Sequence, residues 1–91
     1  MFVFRLYVAG DAQESMLAVS NLTSLCRTYL PGRHEIEVVD VVLQPKRGLA
    51  ESIMMTPTLV KLSPSPLRRI IGTLSHKEPV LQTLGLNSAP S

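Results

Sequence analysis

Cysteine occurs once in this chain, at Cys26, so no disulfide can close within it and no metal site built on several thiolates is available. Tryptophan is absent, and two Phe and two Tyr make up the whole aromatic complement. Binding a nucleic acid takes a concentrated basic face interleaved with stacking aromatics. Here Lys46-Arg47 and Arg68-Arg69 are separate pairs rather than a stripe, and the net charge is only +2. Nucleic acid is therefore set aside as a partner. No apolar run approaches the roughly 18 residues of a membrane span. The first apolar segment, Phe2 to Val8, is too short for a secretory signal and is interrupted by Arg5. These absences predict a cytoplasmic protein with no membrane partner. The 91 residues are 45% hydrophobic, which predicts one domain over residues 1–91, near the lower end of what buries a core without disulfides or metal.

What is present reads as alternating strands and helices. Phe2 to Val8, bounded by Ala9-Gly10, predicts a central strand. Asp11 with Glu14 three residues on has the form of a capping box, and Ala18, Leu22, Leu25 and Tyr29, widened by Cys26 and Leu30, form the apolar stripe of a first helix that Pro31-Gly32 ends. Glu35 to Val42 predicts a second strand, parallel to the first because a helix intervenes. Pro45 opens a short helix to about Ser52, weakened by Gly48. Thr58 to Leu62 and Arg68 to Ile71 flank the Ser63-Pro64-Ser65-Pro66 turn as an antiparallel pair. Ser75 and Glu78 repeat the capping-box pattern ahead of a last helix carrying Val80, Leu81 and Leu84, and residues from about 87 to 91 are expected to be a disordered tail. The result is an α/β fold, βαβαββα, with a mixed four-stranded sheet and helices packed on it. That is the order of thioredoxin, and Thr56-Pro57 stands where such folds place a cis proline, a bond whose cis form costs only about 0.5–1 kcal/mol.

The chemistry of a thioredoxin is missing from this scaffold. A thiol oxidoreductase needs a cysteine at the start of the first helix, where the helix dipole stabilises the thiolate. The segment Gly10-Asp11-Ala12-Gln13-Glu14-Ser15 has two acids and no thiol, and Cys26 lies on the apolar stripe about four turns further on. His34 and His76 have no metal-ligand spacing and read as solvated residues at element boundaries. Glu35 and Glu37 share one side of the second strand and read as its polar face rather than as a catalytic pair. Gly10 and Gly72 match no phosphate loop, and Met54-Met55 reads as core filling. No catalytic residue, metal ligand or cofactor is expected. A small fold without chemistry works by presenting surface. Arg68-Arg69 is either an anchor for a partner's carboxylates or a charged edge strand guarded against aggregation.

The chain closely resembles the KaiB family, small clock proteins that act with the ATPase KaiC. The resemblance is carried by Arg5-Leu6-Tyr7-Val8-Ala9-Gly10, by Ile36-Glu37-Val38-Val39-Asp40-Val41 with Pro45, and by Thr56-Pro57-Thr58-Leu59-Val60-Lys61. Pro64, Pro66, Arg68-Arg69-Ile70-Ile71-Gly72, Leu74-Ser75, Glu78 and Val80-Leu81 continue it. The resemblance implies a non-enzymatic regulator that binds the N-terminal ATPase ring of a KaiC-type partner, modulates its phosphorylation or output, competes with the SasA kinase and helps sequester KaiA. The positions it implies for partner binding are Phe2, Leu17, Glu35, Glu37 and Leu43. The fold signature it implies is Thr56, Pro57, Pro64, Pro66, Arg68, Arg69 and Gly72. Some members of the family switch folds, with a tetrameric ground state whose C-terminal half differs, and the prolines here suit such alternative backbones.

Departures from the family pattern are local. Thr73 stands where Asp is usual after Ile-Ile-Gly, and Lys46 to Ser52 is more basic than the usual acidic run. The ending Thr83-Leu84-Gly85-Leu86-Asn87-Ser88 lacks the family's Gly-Leu-Asp pattern and acidic tail. These changes predict a member resting in the thioredoxin-like fold as a monomer or dimer rather than a tetramer. A paralogue working in stress response or sensor-kinase signalling is the alternative to a clock role, and a thiol enzyme using Cys26 is the alternative of a different class.

Overall fold

In the computed structural model, residues 1–86 are described, and the tail expected at 87–91 lies outside them. Seven elements follow in order: β1 (Phe2–Val8), α1 (Gln13–Tyr29), β2 (His34–Asp40), α2 (Pro45–Ala50), β3 (Thr58–Ser63), β4 (Arg68–Ile71) and α3 (Lys77–Leu84). The sheet order is β2-β1-β3-β4. β1 runs parallel to β2 with Leu6 opposite Val38, and antiparallel to β3 with Leu6 opposite Leu59. β4 closes the edge antiparallel to β3. This is the expected mixed four-stranded βαβαββα arrangement. β2 stops at Asp40 rather than Val42, because the Asp40 carboxylate accepts the backbone N–H of Val42 and turns the chain there.

Alternation along the strands divides the core between two faces. Phe4, Leu6, Val8 and Leu59 pack with Ala18, Leu22, Leu25, Cys26 and Leu30 of the α1 segment and with Val80, Leu81 and Leu84 of α3. The intervening side chains Tyr7, Val39 and Val60 form a smaller cluster on the opposite face, covered by Val41 and Ile53 from the connection that contains α2. Each large apolar side chain so buried contributes about 1.5–3 kcal/mol.

Neither capping box forms. The N-cap of α1 is Ala12, because a turn at Gly10-Asp11, closed by the Ala12 N–H donating to the Ala9 carbonyl, holds Asp11 one position too early. The N-cap of α3 is His76, and Ser75 is engaged elsewhere: its hydroxyl shares a 2.7 Å hydrogen bond with Thr73 Oγ1 and accepts one from Asn21 Nδ2. Pro45 does open α2. Gly48, read from sequence as a weakness of that helix, lies against Val41, where an added Cβ would meet Val41 Cγ1 at 3.0 Å. The Thr56-Pro57, Ser63-Pro64 and Ser65-Pro66 peptide bonds are cis.

Candidate functional site

Strand directions bring four segments to one end of the sheet. β1, β2 and β4 finish there and β3 begins there, so Gly10–Met16, Val41–Leu43, Met54–Pro57 and Ile71–Gly72 are gathered at that end. This is the end at which a thioredoxin would hold its thiols. Here Asp11, Gln13 and Glu14 are exposed, and the buried Ser15 is engaged locally, its Oγ accepting the Ala9 N–H at 3.1 Å. Asp40 is likewise taken up, accepting the backbone N–H groups of Gly10 and Val42 at 3.1 and 2.9 Å. The Gly72 N–H donates to the Pro57 carbonyl at 2.9 Å with Gly72 at φ +119°, a region that favours glycine, so two residues of the expected signature lock β4 to the start of β3. Cys26 is fully buried, and burial pushes its thiol up to about 11, the wrong direction for a nucleophile.

What this end offers is apolar surface. Met16, Leu17, Val42, Leu43, Met54, Met55 and Ile71 are all exposed there, Leu43 at 78% and Met54 at 89%. Large apolar side chains left exposed together at one end of a sheet make that end a candidate interaction surface. Met54 and Met55 thus contradict their reading as core filling. They fall in the connection between α2 and β3, past the sheet end and beyond the cover of either helical layer. Thr58 Oγ1 donates to the Met55 carbonyl, holding that backbone while both thioethers face outward. Their position directly before Thr-Pro, outside any helical or strand periodicity, was the sequence signal for exposure.

The polar half of the sheet face beside α2 carries an ionic cluster. Glu37 accepts from Arg5 Nε at 2.8 Å and from Arg47 at 2.7 and 3.1 Å. These bonds, Arg47's first and then Arg5's, hold the Glu37 carboxyl at about 2. Arg69 reaches Glu51 at 3.4 Å. Arg68 and Arg69 both lie exposed on the edge strand, an arrangement that fits the anchor and the charged-edge readings alike. Pro64 and Pro66 form the exposed turn between β3 and β4.

The five positions named for partner binding do not form one patch. Leu43 and Leu17 belong to the apolar end. Leu17 sits on the flank of α1 shared with Asn21, whose side chain donates to the Thr73 carbonyl, so it faces the 72–76 loop and not β2. Glu35 and Glu37 are exposed on one side of edge strand β2. Phe2 is at the opposite end of β1, about 20 Å away along the strand. It is half-buried, with its ring stacked on Phe4 at 6.1 Å and the Lys61 ammonium 5.8 Å from its centroid. Lys61 itself is only 3% exposed, its stem covering core while its head has no acidic partner among the described residues.

A groove of about 390 Å³ between β4 and α3 has His76 as its one titratable lining group. Among the described residues, no helix is long and apolar enough to cross a membrane, and no cluster of three His, Cys, Asp or Glu side chains is placed to hold a metal. His34 starts β2 half-buried, with Nδ1 2.7 Å from the Leu30 carbonyl, and His76 is exposed.

Comparison with known proteins agrees with this architecture. The model of the KaiB domain matches residues 5–86. The circadian clock protein KaiB3 of Synechocystis sp. is 44% identical over 88 residues, covering 97% of this chain and 84% of that protein. The circadian clock oscillator protein KaiB of a Synechococcus species is 42% identical over 85 residues, covering 93% and 77%. Among solved structures, the N-terminal domain of Synechococcus elongatus SasA superposes with a TM-score of 0.73 at 20% identity, over 96% of this chain and 86% of that one. Chloroplastic thioredoxin z gives 0.73 at 20% identity, over 93% and 80%. At that identity the structures establish the thioredoxin-like fold, and the matched model and relatives establish the rest: the chain belongs to the KaiB family of circadian clock proteins.

Proposed function

We infer that this protein is a non-enzymatic regulator that binds the ATPase ring of a KaiC-type partner and modulates its phosphorylation or output signalling. The observation that carries the reading is the exchange at the sheet end: a KaiB-family chain in a thioredoxin-like fold has apolar side chains, Leu43 and Met54 foremost, where a redox enzyme would expose a thiol. The protein then acts from the cytoplasm as a single domain, needs no cofactor, and contacts its partner through the apolar end, with the β2 edge at Glu35 and Glu37 as a polar border. A KaiA-type protein and a SasA-like kinase are further members of the same set of interactions, the second as a competitor.

The test is a pull-down of the full chain on a KaiC-type ring, with and without ATP. Retention in one nucleotide state, reduced by excess SasA N-terminal domain, is the expected result. Absence of binding in both states would overturn the reading. The likeness in shape to the SasA domain favours one second reading, a regulator in sensor-kinase signalling outside a clock. Retention on a sensor kinase and not on the ring would select it.

A further inference from the structure

Sulfur in this protein is sorted by reactivity. The one thiol, Cys26, is fully buried and kept protonated, which removes the thiolate that oxidants attack. All four methionines are on the surface. Three of them, Met16, Met54 and Met55, are at the apolar end, and the adjacent pair Met54-Met55 lies exposed in the connection between α2 and β3. An oxidant in solution therefore meets thioethers at the interaction surface before it meets anything that holds the core together.

We propose that Met54 and Met55, with Met16 in α1's first turn, are sulfoxidation sites through which a hydroperoxide releases the protein from its partner. The step is a two-electron oxygen transfer. The peroxide O–O bond breaks, one oxygen forms an S–O bond with the thioether sulfur, and the peroxide is reduced to water or the corresponding alcohol. No proton or thiol of the protein is consumed. The product side chain is polar and carries a strong acceptor, so a surface recognised by apolar burial becomes one that must be desolvated at a cost. The fold is untouched, because neither Met54 nor Met55 fills the core and the Thr58 hydroxyl bonds the Met55 backbone, not its sulfur.

This inference rests on the binding reading above, and the experiment keeps the two apart. Full-length protein is treated with hydrogen peroxide, quenched, mapped by peptide mass and assayed on the KaiC-type ring beside untreated protein and a Met16→Leu/Met54→Leu/Met55→Leu variant. The expected map has one added oxygen on each of Met16, Met54 and Met55, with Cys26 still alkylatable after unfolding. Binding of the treated protein falls by about tenfold or more, equivalent to about 1.4 kcal/mol, with its thermal midpoint unchanged, while the leucine variant binds equally before and after treatment. Oxidation of Cys26 ahead of the methionines, undiminished binding by sulfoxidised protein, or an equal loss by the leucine variant would each overturn the proposal. Untreated protein that does not bind the ring takes down the binding reading itself, and the regulatory role with it.

Discussion

Glu37 is the acceptor for two guanidinium groups from different elements, Arg5 on β1 and Arg47 on α2, and so ties the short helix to the sheet across an exposed face. Its carboxyl is held at about 2 against an ordinary 4.5. A depressed carboxyl adds stability that is fully present above its ordinary value and is lost as pH falls through its folded value. Glu37→Gln is therefore expected to lower the urea midpoint at pH 7, and the gap to the parent protein should close between about pH 4.5 and pH 2. Added salt should narrow the gap, since all three groups are reached by solvent. A gap that stays constant from pH 7 to pH 2 would mean that the carboxylate's charge does not matter. Cys26 makes the opposite case of a residue whose chemistry is switched off by burial. Cys26→Ala should cost about 1 kcal/mol by chemical denaturation, a packing loss, and leave partner binding intact.

At the scale of elements, α2 shows why a local rule can mislead. Glycine inside a helix costs about 1 kcal/mol relative to alanine, so Gly48→Ala would stabilise a free helix. In the fold, Val41 occupies the space an added methyl would need, at 3.0 Å from Cγ1 and 3.3 Å from Cβ. The crowding costs about 1–3 kcal/mol and outweighs the gain. Gly48→Ala alone should destabilise, and the same change in a Val41→Ala background should stabilise relative to that background. The same sign in both would show that Val41 does not govern the position. All seven elements were legible in the sequence because strand and helix periods, Pro45 and the Ser-Pro-Ser-Pro turn are local signals. The caps were not, because Asp11 and Ser75 have side chains suited to capping but are held by a turn and a loop network respectively. Whether Ser75 caps a helix or serves Asn21 and Thr73 depends in part on Asn21, more than fifty positions away.

At the scale of the whole molecule, the family was legible through its signature residues and the fold through its element order, whereas which side chains the sheet end exposes was legible only in part. Leu17, Leu43, Met54 and Met55 are all exposed, but the core reading of the two methionines fails because apolar identity says nothing of which side of the sheet end a residue falls on. Phe2 was named as a contact, yet its ring stacks on Phe4 and supports the Lys61 ammonium at the far end of β1. The two ends can be separated by experiment. Leu43→Asp and Met54→Asp replace side chains that are 78% and 89% exposed, so each should change stability by no more than about 0.5 kcal/mol. Each should weaken binding to a KaiC-type ring by about tenfold or more, since a carboxylate must then be desolvated in the contact. Phe2→Ala should show the converse, a loss of about 2 kcal/mol in stability and near-normal binding at a temperature where the variant is folded. Measured together by calorimetric titration and thermal melts, these variants assign the interface to one end of the sheet. Normal binding by both aspartate variants beside a binding defect in Phe2→Ala would move it to the other.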